Sequence, residues 1–122
     1  MGESTGSALV QPGSRCRYQG SGDRVGSVEI GPVLGTGARC LVQEARDTRS
    51  GRELVIKYLR PELSSDSAMQ RRFEAASRAL LALEHPSTAR TFGVGIEPLP
   101  FRLVERMEHE ALAARLVRDG QL

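Results

Sequence analysis

The stretch SSDSAMQRRFEAASRALLALEHP, residues 64–86, is the one strong helix signal in the chain, and it limits the fold more than any other feature. Met69, Phe73, Ala76, Leu80 and Leu83 recur at steps of three and four and form one apolar stripe, while Arg71, Arg72, Glu74 and Arg78 face elsewhere. Ser67 with Gln70 three residues on reads as a capping box, with Asp66 as the alternative cap. Pro86 stops the helix, because the residue before proline avoids the helical region. A single amphipathic helix must cover its stripe with something else, and the rest of the chain offers strands.

Three strand-like runs precede the helix: SVEIGPVLG, interrupted by Pro32, then CLVQEAR and RELVIKYL. DTRSG between the last two is a turn in which Gly51 is free to take positive φ. TFGVG and PFRLVER follow the helix, joined by IEPLP, and HEALAARLVRDG closes the chain as a short helix with Leu112 and Leu116 on one face and Gly120 as its stop. The order predicts an α+β fold, a twisted five-stranded antiparallel sheet with one packed helix and a short C-terminal helix. Residues 1–24 are rich in Gly and Ser and read as a flexible tail, residues 25–107 as the folded lobe, and residues 108–122 as its exit and short helix.

Composition narrows the function. At 122 residues the chain holds one modest core, and with 4% aromatic residues and no Trp that core is aliphatic. A net charge of +2, spread without a basic block, argues against a nucleic-acid partner. Cys16 and Cys40 lie far apart, and with only His85 and His109 there is no cluster at zinc spacing, so two reduced thiols and no metal site are expected. No apolar run approaches a membrane span and the start is not a signal peptide, which points to the cytoplasm; MGESTG lacks the Ser or Thr an acylation signal needs at Gly6.

Lys57 is the only lysine, against sixteen arginines. It follows LGTGARCLV, where Gly35 and Gly37 sit in a strand-turn-strand context and allow the backbone to approach a phosphate. LGTGARCLVQEA, LVIKYLRPEL, RRFEAASRALLALEHP, TFGVG and FRLVERMEHEALAARL together resemble, in order and spacing, the N-terminal lobe of a bacterial serine/threonine protein kinase. The resemblance covers about residues 25 to 122. It implies that Lys57 pairs with nucleotide phosphates, that Gly35 and Gly37 shape the loop, that Leu34, Val42 and Val55 roof the base, and that Val104, Glu105 and Met107 lie at the hinge edge. The implied cofactor is ATP, held weakly, with magnesium only as the nucleotide brings it.

The chain departs from the kinase pattern in three ways. The third loop glycine falls on Cys40, where a side chain mildly crowds the turn, and the family alanine before the lysine falls on Val55, whose extra methyls cost on the order of 1 kcal/mol in overpacking. The glutamate that pairs with the lysine lands on Ala76, expected on the inward stripe, with Glu74 turned away; Lys57 is then expected to reach solvent, to find another anion such as Glu105, or to bind phosphate. The catalytic loop and its metal-binding segment are not in the sequence, and RDG at Arg118 to Gly120 reads as a solvated helix end, so no catalytic residue is expected. The reading is a truncated or pseudokinase-like lobe with residual ATP binding. The alternatives are an interaction module that self-associates or binds a partner through the uncovered lobe face, and a gene fragment without function.

Overall fold

The structure is a computed structural model and describes residues 10–82 and 90–106. Its elements run β1 (Arg15–Gln19), β2 (Val25–Thr36), β3 (Cys40–Asp47), β4 (Glu53–Leu59), α1 (Pro61–Ser64), α2 (Ser67–Ala82), β5 (Thr91–Gly95) and β6 (Phe101–Glu105). All neighbouring strands are antiparallel and close into a barrel in the order β1-β2-β3-β4-β6-β5.

This corrects two expectations. The sheet has six strands, because Arg15–Gln19 pairs with Val25–Glu29 along its whole length, and residues 10–24 are therefore part of the lobe and not tail. The alternation that builds β1 is present in RCRYQ, where Cys16 and Tyr18 point inward and the polar residues point out. The sheet also closes on itself: Gln19 pairs with Val94. Glycines allow that approach, since a Cβ at Gly93 would stand 2.6 Å from the Tyr18 ring and one at Gly95 2.2 Å from Phe101 and 2.8 Å from the Arg17 carbonyl. The short C-terminal helix and the expected stop at Pro86 lie outside the described residues.

The barrel interior is filled from every strand, chiefly by Val28, Ile30, Leu41, Leu54, Ile56, Tyr58, Phe101 and Leu103. One polar group sits among them. Pro32 has no N–H for the ladder, and the β2–β3 register shifts between Ile30 and Val33. The fully buried Gln43 amide donates to the Gly31 carbonyl at 2.9 Å and to the Val10 carbonyl at 3.0 Å, while the Tyr58 hydroxyl donates to its Oε1. The Val10 amide in turn donates to the Tyr58 hydroxyl at 3.4 Å, which ties the segment before β1 into the barrel.

A second buried polar pair seats the DTRSG turn. Tyr18 donates its hydroxyl to Asp47 Oδ1 at 2.7 Å, and the Ser50 amide and hydroxyl donate to Oδ2 at 2.9 and 2.7 Å. Gly51 takes φ 76° there, as the turn signal requires. Burial opposes the Asp47 charge, but these donors and Arg49 hold its carboxyl below the ordinary 3.8. Burial and the bond to that carboxylate push the Tyr18 phenol up to about 12.

Candidate functional site

Alternation along β4 sorts its side chains between the two faces of the barrel wall. Leu54, Ile56 and Tyr58 face the core, so Val55, Lys57 and Leu59 line the outside. Two apolar clusters stand on that outer wall. Val42 and Val55 are packed against Leu34 and Val104, and Cys40, Leu59 and Phe73 are packed against Leu63 and Met69 beneath helix α2. Lys57, half-buried, lies between them on β4. Four of the residues read as surrounding a nucleotide base are thus one cluster beside the only lysine. Val55 is a packed member of it.

The glycine hairpin closes over this wall. Gly35 pairs with Val42, and the Gly37 amide donates to the Cys40 carbonyl at 2.8 Å. Arg60 fastens the tip, its amide donating to the Arg39 carbonyl at 2.7 Å and its guanidinium to the Gly37 carbonyl at 3.1 Å. The Gly37 amide is therefore engaged within the turn itself. Cys40 does not crowd the hairpin: its side chain is buried under α2 with Leu59 and Phe73. Burial pushes its thiol up, against the pull of Lys57, Arg102 and Arg39.

Helix α2 begins at the alternative cap. Asp66 Oδ1 accepts from the Ala68 and Met69 amides at 3.0 and 3.1 Å, and the Gln70 side chain reaches back to the Ser64 carbonyl. The buried face of the helix is Phe73 and Ser77. Ala76 is exposed, as is Leu80, and Glu74 is half-buried, so the stripe read through Ala76 and Leu80 is corrected by about one residue of rotation; Leu83 lies outside the described residues. The reason stands on β6. Arg102, only 8% exposed, holds its guanidinium 5.3 Å from the centre of the Phe73 ring and donates to Ser77 Oγ at 3.4 Å. A small hydroxyl residue over Arg102 satisfies a donor that an alanine would leave to find another acceptor. Sequence reasoning missed Arg102 because a cation in a strand reads as solvated.

Glu105 is also placed differently. Its β4 partner is Leu54, whereas Lys57 pairs with Arg102, and alternation puts Glu105 on the opposite side of the wall from Lys57. Its carboxylate meets Arg52 at 3.4 Å. It is not the anion beside Lys57. Met107 lies outside the described residues. Cys16 and Cys40 are both buried free thiols. No described helix is long and apolar enough to cross a membrane.

The chain is 33% identical over 101 residues to "Probable serine/threonine-protein kinase SCO3848" of Streptomyces coelicolor, and 31% identical over 99 residues to the serine/threonine-protein kinase PknB of Mycobacterium leprae. The chain is a relative of the bacterial serine/threonine protein kinases. The matches cover 79% and 77% of this chain but 15% and 16% of those kinases, so the shared part is a kinase N-terminal lobe. A third kinase, PksC of Streptomyces coelicolor, matches at 29% identity over 91% of the chain and 21% of its own length. No family model matches the chain. Among solved structures, ROP2 from Toxoplasma gondii, described as a virulence factor with a protein-kinase fold and no enzymatic activity, aligns with a TM-score of 0.56 at 18% identity. That alignment covers 92% of this chain and 41% of ROP2 and shows the kinase fold.

Proposed function

We propose that this kinase lobe binds an adenine nucleotide weakly and does not transfer phosphate by itself. One observation carries the reading: the cluster of Leu34, Val42, Val55 and Val104 stands immediately along β4 from Lys57, so an apolar base platform and a phosphate-sized point charge share one wall. Phosphoryl transfer further needs metal ligands and a carboxylate that positions the nucleophile. ROP2, a protein-kinase fold with no enzymatic activity, is a precedent for such a fold kept without activity, and fold alone does not fix function.

The test is thermal unfolding of the chain with magnesium and ATP. A dissociation constant of about 1 mM corresponds to roughly 4 kcal/mol of binding. At ten times that concentration the folded state gains about 1.4 kcal/mol, a rise of roughly 6–10 °C for a lobe of this size. Lys57→Ala removes most of the rise. An unchanged melting temperature at about 10 mM nucleotide, or an equal rise in Lys57→Ala, overturns the reading.

A further inference from the structure

The barrel is not closed evenly, and its seam carries charge. β1 pairs with β2 over five residues but with β5 only at Gln19. On the β2 side the bonds run through even-numbered residues, the Ser14 carbonyl accepting from Ile30 and the Gly20 amide donating to the Arg24 carbonyl. By alternation, the N–H and C=O of Arg15 and Arg17 therefore point to the seam, where the Arg17 carbonyl lies against Gly95 and Arg15 stands beyond the β5 pairing. A groove of about 970 Å³ runs along it, bounded by β1, the start of β2, the turn after β3 and the β5–β6 connection.

Four arginines converge there: Arg15 and Arg17 from β1, Arg49 from the turn and Arg78 from α2, with Glu97 as the one carboxylate. All four are exposed, and no ion pair holds any of them among the described residues. Val25, 64% exposed, and Ile96, 55% exposed, stand in the same groove as apolar footholds. A net positive groove around an incompletely paired strand edge has the chemistry of a site for an extended acidic segment. Backbone pairing supplies register, and the arginines select Glu or Asp side chains.

We propose that the β1–β5 seam is a docking site for an extended, acidic peptide segment of a partner protein, laid along β1. With Gln19 already paired to Val94, the stretch of β1 left to a peptide is Arg15 to Arg17, roughly 10 Å, so about three peptide residues engage. A peptide fits better than a nucleic acid because the seam offers N–H and C=O groups beside apolar side chains, while Tyr18, the aromatic residue lining it, is buried and bonded to Asp47. This site is on a different wall from Lys57 and does not depend on nucleotide binding.

The probe is a fluorescein-labelled octapeptide alternating Glu and Val, titrated with the full chain and read by fluorescence anisotropy. Binding is expected, weakening with added salt, and the double variant Arg15→Glu/Arg17→Glu should lose about tenfold or more in affinity. The single variant Arg49→Ala, on the turn after β3 and outside the β1 ladder, should lose about threefold. Thermal unfolding of each variant reports whether the barrel is intact, and if the double variant is unfolded the Arg49→Ala result alone decides. The same peptide N-methylated at alternate amides should bind more weakly, which separates strand pairing from plain charge attraction. The proposal is overturned if no binding occurs at about 1 mM peptide, if the folded variants bind as well as the parent, if N-methylation changes nothing, or if an oligothymidine of equal charge binds more tightly.

Discussion

Lys57 and Arg102 are register partners across the β4–β6 ladder, so two cations stand side by side on the wall that faces α2. Like charges directly opposite one another destabilise a sheet, and Arg102 meets this by spreading its charge over the Phe73 ring and onto Ser77. Its methylene stem is buried as well. Arg102→Ala is expected to destabilise the lobe by about 2 kcal/mol through lost packing and the lost ring contact. Arg102→Lys should recover less than half of that, because an ammonium has no planar face to lay on the ring. Urea unfolding of the three proteins checks it; full recovery by lysine would mean that charge alone matters there.

The rotation of α2 gives a sharper test of the kinase comparison. Ala76 occupies the position of the kinase glutamate yet is exposed, while Ser77 is the residue turned inward. Ala76→Glu is therefore expected to change stability by no more than about 0.5 kcal/mol, as for other surface substitutions. It should also leave any nucleotide-induced rise in melting temperature unchanged. A gain above about 1 kcal/mol would mean that the new carboxylate reaches a cation on the wall and that the helix face is assigned wrongly.

The Tyr18–Asp47 pair makes stability depend on pH at both ends. The Tyr18 phenol is raised from 10.0 to about 12, so the fold favours its protonated form. That contribution, on the order of 2 kcal/mol, is complete below pH 10 and is lost as pH rises towards 12. Asp47 is lowered, so its contribution is present above its ordinary 3.8 and is lost as pH falls through the folded value. Asp47→Asn should bring the Tyr18 midpoint down from about 12 towards 10.0, read by phenolate absorbance in a chain with only two tyrosines. An unmoved midpoint would separate the two groups.

Much of this arrangement is legible in the residues. Period-two patterning places β2, β3, β4, β5 and β6 where the sequence puts them, and Leu34, Val42, Val55 and Val104 gather beside Lys57. The misses have physical causes. β1 hides because Arg15, Arg17 and Gln19 make its outer half polar and glycines flank it, although Cys16 and Tyr18 keep the inward rhythm. The face of α2 was misjudged because an apolar count prefers Ala76 to Ser77, whereas the wall beneath presents a guanidinium that needs an acceptor. No local pattern shows that the Gly37 amide closes its own turn, since the acceptor depends on how the hairpin bends.

Gln43 joins three parts of the chain: the Val10 carbonyl before β1, the Gly31 carbonyl at the irregularity in β2, and the Tyr58 hydroxyl of β4. Gln43→Leu keeps most of the volume but removes both donors and the acceptor, leaving the Val10 carbonyl, the part-buried Gly31 carbonyl and the Tyr58 hydroxyl to find new partners. Each such group costs roughly 1–3 kcal/mol when unmet, and relaxation at Val10 recovers part of it, so a loss of about 2–4 kcal/mol is expected. Gln43→Glu should be at least as damaging, because a carboxylate cannot donate to the two carbonyls and its charge is fully buried. Hydrogen exchange provides the local readout: the Val10 amide, which donates to the Tyr58 hydroxyl, should lose protection in Gln43→Leu before the β3–β4 ladder does. Equal loss at both places would mean that Gln43 supports the barrel as a whole and does not act as the latch for the segment ahead of β1.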